Sequence, residues 1–167
     1  MFKNILIIGF GMIGSSIARS VIKKYKNVNI FAFDKSNNLK IRINKSKLNN
    51  VKVLKSLQEI NNLNIDLIII CVPMLQYQSI FKKLSNINLD KTIVTDVGST
   101  KVNIEKLYNQ KKYKFNFIPS HPIAGIEKAG LENGFDGLFT NRSVSYTHLR
   151  AHETPEHRGC RGVGGKK

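Results

Sequence analysis

A glycine-rich turn near the start of the chain constrains the fold more than any other feature. The apolar run Asn4–Ile8 precedes the turn, and the segment Met12–Lys26 after it carries apolar residues at helical spacing. A strand, a G-x-G-x-x-G turn and a helix in this order are typical of the unit that holds a dinucleotide pyrophosphate. The turn residues expected to contact the dinucleotide are Gly9, Gly11, Met12, Ile13 and Gly14.

An acidic residue, Asp34, follows at the end of the predicted second strand, Asn29–Phe33. A carboxylate at this position accepts hydrogen bonds from the adenosine ribose and repels a ribose 2′-phosphate. The sequence therefore favours NAD over NADP. The neighbouring Lys35 weakens this preference, because a cation there attracts a phosphate.

Strand and helix patterns continue to alternate over residues 1–142. This predicts an α/β fold of the Rossmann type, with a doubly wound, mostly parallel sheet. The further predicted strands are Val51–Leu54, Asp66–Val72, Thr92–Val97 and Phe115–Pro119. The further predicted helices are Lys40–Asn50, Leu75–Leu84 and Val102–Tyr108.

The turn Cys71-Val72-Pro73 ends the strand that starts at Asp66. Ligands of open α/β sheets bind beyond the carboxyl ends of the strands, so we expect these three residues to line the cofactor cleft. A proline that merely ends a strand explains the same pattern equally well.

Two polar motifs follow the next two strands. D-V-G-S-T-K begins at Asp96, which is able to act as a turn residue, and its Ser99 is able to cap the following helix. S-H-P-I-A-G contains His121, the only histidine before residue 143. Imidazole titrates nearest neutrality, and oxidation of an alcohol by NAD requires a base for the hydroxyl proton. We therefore assign that role to His121.

The composition changes after Arg142. Residues 143–167 contain no Asn, Ile or Phe but hold three of the four histidines, and they show no hydrophobic period. Ser143–Thr154 also matches the translation of a transposase adapter used in preparing DNA sequencing libraries. We expect this tail to be non-native and disordered, and we expect no metal site in it. A natural disordered basic tail is the alternative.

The net charge and the cysteine content exclude few classes of protein by themselves. The net charge of +16 would suit a nucleic-acid partner, but the lysines are scattered rather than gathered with aromatic residues on one element. No apolar run approaches the roughly 20 residues that span a bilayer. Cys71 and Cys160 have no metal-ligand spacing. The expectation is a cytoplasmic protein that binds neither nucleic acid nor membrane.

Taken together, the three motifs resemble those of the prephenate and arogenate dehydrogenases of tyrosine biosynthesis. The resemblance covers Met1–Arg142 and rests on G-F-G-M-I-G, D-V-G-S-T-K, S-H-P-I-A-G-I-E-K-A-G and L-F-T-N-R. It implies NAD-dependent oxidative decarboxylation, with His121 accepting the proton of the substrate hydroxyl. It also implies that Ser99 joins the same hydrogen-bond network and that Glu127 lies at the mouth of the substrate cleft.

The resemblance further implies a helical dimerisation domain after L-F-T-N-R, and this domain is missing here. We therefore expect a truncated chain that binds NAD better than it turns over substrate. The full-length family is expected to be homodimeric.

Two other functions remain open at this stage. Another NAD-dependent hydroxy-acid dehydrogenase would usually take its base from the missing domain. A non-catalytic NAD-binding domain would show no turnover even with that domain restored.

Overall fold

Six parallel strands form the central sheet of the protein, in the order β3-β2-β1-β4-β5-β6. The computed structural model describes residues 2–111, 113–125 and 128–146. The strands are β1 (Asn4–Ile8), β2 (Asn29–Phe33), β3 (Val51–Val53), β4 (Leu67–Ile70), β5 (Ile93–Asp96) and β6 (Asn116–Ile118). This order and the parallel pairing confirm the predicted Rossmann-type fold.

Four helices cover the two faces of the sheet. They are α1 (Met12–Lys24), α2 (Leu39–Lys45), α3 (Tyr77–Leu84) and α4 (Lys101–Lys111). Alternate residues of β1 enter different cores: Leu6 and Ile8 pack in one cluster, whereas Ile5 and Ile7 pack in the other. A strand buried on both faces needs such a continuous apolar run. Among the described residues, no helix is long and apolar enough to cross a membrane.

Several predicted element ends differ from the structure by one or more residues, two helices differ for a clear physical reason, and one short helix was not predicted. The helix predicted over Lys40–Asn50 ends at Lys45, and Lys47 then turns the chain with a φ of 54°. The helix predicted from Leu75 begins as a 3₁₀ turn, Met74–Gln76, because Pro73 holds the preceding backbone extended. A 3₁₀ helix over Leu57–Asn62 was not predicted. Its signal is the capping box formed by Ser56 and Glu59.

A two-stranded antiparallel sheet was also missed. It pairs β7 (Ser120–Pro122) with β8 (Val144–Tyr146), and His121 lies opposite Ser145. The expected disorder of residues 143–167 therefore differs from the structure at three residues, which are held by backbone pairing and whose side chains stay exposed. Residues 147–167 lie outside the described part of the chain.

Phe81 is the centre of the core between α3, α4 and β6. Its ring makes edge-to-face contacts with five other aromatic rings, at centroid distances between 5.1 and 6.1 Å. The five rings belong to Tyr77, Tyr108, Tyr113, Phe115 and Phe117. Edge-to-face pairs add to the burial of apolar area, so Phe81 carries more stability than its size alone implies.

We predict that Phe81→Ala lowers the free energy of unfolding by about 3–5 kcal/mol, the usual cost of truncating a buried phenylalanine. Phe2→Ala is the control, because Phe2 is 41% exposed and an exposed site should change by about 0.5 kcal/mol or less. Urea unfolding followed by far-ultraviolet circular dichroism measures both. Equal losses in the two variants would contradict the packing described here.

Candidate functional site

The loops that leave the carboxyl ends of β1, β4 and β5 meet at one edge of the sheet. The chain runs from β1 outward to β2 and β3, whereas β4, β5 and β6 extend in the other direction. Loops diverge at such a switch point and leave a crevice, which is where open α/β sheets bind ligands. The turn after β1 and the loop after β4 therefore form the walls of the candidate site.

Two glycines of the turn are required by close backbone approach. Gly9 has a φ of 90°, and a Cβ there would lie 2.7 Å from the carbonyl oxygen of Cys71. A Cβ on Gly14 would lie 2.3 Å from the carbonyl oxygen of Gly9, so only glycine lets α1 pack this closely on the end of β1. Gly11 differs from both, because a Cβ there would meet nothing within 4 Å. Its missing side chain leaves space open at the edge of the crevice.

The amino end of α1 favours an anion. Gly11 is its N-cap residue and supplies no side chain to cap the helix, and the first turn contains no acidic residue. Helices leave their first backbone N–H groups without helical partners, and the helix dipole makes this end positive. Met12 and Ile13 belong to this first turn. A dinucleotide pyrophosphate fits the charge and the open space at this position.

Asp34 lies beside the glycine turn and holds that turn in place. Its Oδ2 accepts a hydrogen bond of 2.8 Å from the backbone N–H of Phe10, and its Oδ1 accepts one of 2.9 Å from Ser36. Each carboxylate oxygen has a second lone pair, so these bonds leave acceptor capacity for a ribose. This link to Phe10 was not anticipated from the sequence.

The loop Cys71-Val72-Pro73 continues β4 into the crevice. Cys71 donates its backbone N–H to Ile8 across the strand ends at 2.7 Å, and its carbonyl oxygen is the group closest to Gly9. Burial raises the pKa of the Cys71 thiol far above its usual range, and the negative charge of Asp96 adds to the shift. The thiol is therefore neutral, which suits a wall of the crevice better than a nucleophile.

Asp96 is fully buried at the carboxyl end of β5, and hydrogen bonds reach both of its carboxylate oxygens. Oδ2 accepts from the hydroxyl of Tyr77 and from the backbone N–H of Gly98, both at 2.9 Å. Oδ1 accepts from the backbone N–H of Ser120 at 3.0 Å. Burial raises the pKa of Tyr77, and the Asp96 charge raises it further, so its hydroxyl remains a donor. Asp96 is thus more than a turn residue.

His121 lies in β7, beside the end of β5. Its Nδ1 lies 3.2 Å from the carbonyl oxygen of Val97. A carbonyl oxygen only accepts, so Nδ1 carries the ring proton in this contact and Nε2 keeps its lone pair. This tautomer leaves Nε2 as the nitrogen that is able to take a proton from a ligand.

Of the other two predicted substrate residues, Ser99 and Glu127, only Ser99 lies in the described part of the chain. Ser99 is exposed at the same sheet edge, two residues beyond the carbonyl of Val97 that pairs with His121. Glu127 lies outside the described residues.

The segment 130–136 returns from the His121 loop and crosses the outer face of α1. Ser15 donates its hydroxyl to the carbonyl of Leu131 at 3.1 Å, and Ser16 accepts the backbone N–H of Phe135 at 3.1 Å. Glu132 pairs with Arg42 of α2 at 2.8 Å, and this contact lowers the pKa of Glu132 to about 2. Sequence reasoning missed the packing of this segment on α1. Its signal is the pair Ser15 and Ser16, two polar residues among the buried positions of the helix.

A surface hollow of about 440 Å³ lies at the opposite, amino-terminal edge of the sheet, near Lys26, Asn29, Asn50 and Lys52. Its lining among the described residues comes from the carboxyl end of α1 and the starts of β2 and β3, and includes neither a glycine turn nor a helix amino terminus. The carboxyl edge is the better candidate site, because the backbone there is shaped for close approach by a ligand.

Comparison with known proteins gives matches over most of the chain. A family model described as prephenate dehydrogenase, nucleotide-binding domain, matches residues 17–157. Cyclohexadienyl dehydrogenase of Zymomonas mobilis is 32% identical over 147 residues, which cover 88% of this chain and 50% of that protein. Prephenate dehydrogenase of Lactococcus lactis is 36% identical over 143 residues, which cover 83% of this chain and 39% of that protein.

A solved structure agrees with these sequence matches. The crystal structure of prephenate dehydrogenase from A. aeolicus, in complex with hydroxyphenyl propionate and NAD+, has a TM-score of 0.73 and 25% identity. The similarity covers 92% of this chain and 53% of that one. The chain thus spans half or less of the length of the two curated relatives.

We predict stability losses of different size at two glycines of the turn. Gly14→Ala should lower the free energy of unfolding by about 3 kcal/mol, because its Cβ would overlap a backbone oxygen that cannot move aside. Gly11→Ala should cost about 1 kcal/mol, the typical cost of an unfavourable change at an N-cap residue. Urea unfolding compares the two variants. A Gly14→Ala protein as stable as Gly11→Ala would show that the backbone approach is looser than described.

Proposed function

The chain belongs to the family of prephenate dehydrogenase nucleotide-binding domains, and we propose that it binds NAD at the carboxyl edge of its sheet for an oxidative decarboxylation. The proposed substrate is prephenate or arogenate. The observation that carries this proposal is the His121–Val97 contact, which leaves Nε2 as a base beside the crevice of the glycine turn. The chain spans half or less of the two curated relatives, so we propose this turnover for a full-length enzyme that carries this domain.

The open space at Gly11 and the positive end of α1 suit the NAD pyrophosphate. Asp34 is proposed to accept hydrogen bonds from the adenosine ribose and to disfavour NADP, as its place at the end of β2 suggests. The loop Cys71-Val72-Pro73 forms the next wall toward the nicotinamide. When bound, NAD+ supplies the acceptor for a hydride.

His121 is proposed to act on the ring hydroxyl of the substrate. Its Nε2 takes the hydroxyl proton while the carbon that bears this hydroxyl gives up a hydride. The bond to the ring carboxylate then breaks, carbon dioxide leaves, and the electron pair of that bond completes the aromatic ring. General-base assistance of this kind contributes about 10²–10⁴ in rate.

We propose substrate contacts for two further residues, Ser99 and Glu127. The exposed hydroxyl of Ser99, close in sequence to the Val97 carbonyl, is proposed to hydrogen-bond the same substrate hydroxyl. Glu127 is six residues beyond His121, and we propose that it contacts the substrate at the mouth of the cleft.

Residues 143–167 are proposed to be foreign to the native protein, on the ground of their composition and their match to adapter sequence. Sequencing the genomic reading frame across codon 142 tests this. An uninterrupted native frame through Thr154 would contradict it.

We predict that the chain binds NAD more tightly than NADP, because Asp34 repels a 2′-phosphate. Gly11→Ala should weaken NAD binding at least about tenfold, since a loss of about 1.4 kcal/mol is sufficient. Gly137→Ala is the matched control, because the added Cβ there makes only ordinary contacts with Phe135, at 3.5 Å and beyond. Isothermal titration calorimetry measures all three proteins. Equal NAD affinity in wild type and Gly11→Ala would place the pyrophosphate elsewhere.

We predict that His121→Asn, in a full-length enzyme that carries this domain, lowers kcat about 10²–10⁴-fold and leaves NAD affinity unchanged. The assay measures NADH formation with prephenate and, separately, with arogenate. An unchanged kcat would remove His121 from the mechanism. No turnover by the unaltered full-length enzyme with either substrate would favour a binding domain without catalysis.

A further inference from the structure

We propose that Asp96 is a positioning residue that fixes the tautomer of His121, an inference that rests on the proposed role of His121 as the base. Asp96 acts through a network formed with Tyr77, Gly98 and Ser120, which we call the Asp96 network. None of the three partners is the base itself. Their geometry nevertheless determines how the base is held.

The Asp96 carboxylate holds both sides of the contact between His121 and Val97. Oδ1 accepts the N–H of Ser120, the residue immediately before His121. Oδ2 accepts the N–H of Gly98, the residue immediately after Val97. One rigid carboxylate therefore sets the distance between the segment that carries the ring and the segment that carries its acceptor.

A second set of hydrogen bonds reinforces the same junction. The hydroxyl of Ser120 donates to the backbone carbonyl of Asp96 at 2.6 Å. The hydroxyl of Thr95 lies 3.0 Å from that of Ser120 and donates to the carbonyl of Ile118 at 2.7 Å. The ends of β5, β6 and β7 are thereby tied together at the residue that precedes His121.

Tyr77 sets the orientation of the carboxylate from the opposite side. Its hydroxyl is supplied by α3, is fully buried, and donates to Oδ2 at 2.9 Å. A Cβ on Gly98 would lie 2.9 Å from this hydroxyl and 3.0 Å from Oδ2. The glycine of D-V-G-S-T-K is thus required by the Tyr77–Asp96 contact. The Tyr77–Asp96 contact therefore explains the glycine of this motif independently of any contact that Ser99 makes.

Replacement of the carboxylate by an amide disrupts this arrangement at nearly constant volume. Asparagine has one acceptor oxygen, whereas Asp96 uses both oxygens to accept backbone N–H groups. In Asp96→Asn, the amide nitrogen must face the N–H of either Ser120 or Gly98. Whichever it faces, one segment moves away and the Nδ1 contact with Val97 weakens.

The test is a nitrogen-15 NMR measurement of the His121 tautomer in the complete 167-residue chain at alkaline pH. The ring signals of His121 are assigned by their loss in His121→Asn. In the unaltered chain, Nδ1 should carry the proton. In Asp96→Asn, the two ring nitrogens should move toward the averaged signals of a free imidazole, and Tyr77→Phe should cause a smaller shift in the same direction.

Two control variants remove similar groups outside the Asp96 network. Asp90→Asn removes an exposed carboxylate just before β5, and Tyr108→Phe removes a hydroxyl that donates to the carbonyl of Phe115 in the aromatic core. Both should keep the tautomer of the unaltered chain. If Asp96 and Tyr77 only stabilised the fold, Asp96→Asn and Tyr77→Phe would lower the free energy of unfolding but leave the His121 tautomer unchanged.

An Asp96→Asn chain that keeps its circular dichroism spectrum and its Nδ1–H tautomer would overturn the proposal. If Asp96→Asn does not fold, Tyr77→Phe decides alone, and an unshifted His121 tautomer in it would overturn the proposal equally. The tautomer is read without substrate or turnover. Failure of this inference is therefore distinguishable from failure of the proposed reaction.

Discussion

The close approach of backbones around Gly9 is the constraint on which the rest of the structure depends. The carbonyl of Cys71 occupies the space that a side chain on Gly9 would fill, and the carbonyl of Gly9 occupies the space that a side chain on Gly14 would fill. This contact places the amino end of α1 at the carboxyl edge of the sheet, next to the loop after β4. The crevice, the positive helix end and the wall of the candidate site all follow from it.

In a chain this basic, several acidic residues tie backbone N–H groups at strand ends. Asp34 and Asp96 do so at the carboxyl edge. Asp66 does so at the amino edge, where the N–H groups of Asn4 and Lys3 lower the pKa of its carboxyl group. Carboxylates with two acceptor oxygens suit this purpose, because parallel strand ends leave amides without a partner in the sheet. The carboxylates near the site therefore hold the backbone in place, in addition to any contact with a ligand.

Much of the fold could be predicted from the sequence, because β1, β2 and β4 are continuous apolar runs with few alternative structures. The glycine turn and His121 could be located because their motifs follow predicted strands. The links of Asp96 to Tyr77 and Ser120 could not, since they join residues 19 and 24 positions apart whose proximity depends on packing of α3 and β7. The β7–β8 strand pair was missed for a different reason: its strands are three residues long, and β8 is exposed throughout.

We propose that the carboxyl edge of the sheet, and no other surface, receives the cofactor. Titration of the nitrogen-15-labelled chain with NAD, followed by backbone amide NMR, is the decisive measurement. We expect the largest amide shifts at Gly9–Gly14, at Cys71 and Val72, and around Val97 and His121. Shifts concentrated instead at Lys26, Asn29 and Lys52, around the hollow at the opposite edge, would contradict it.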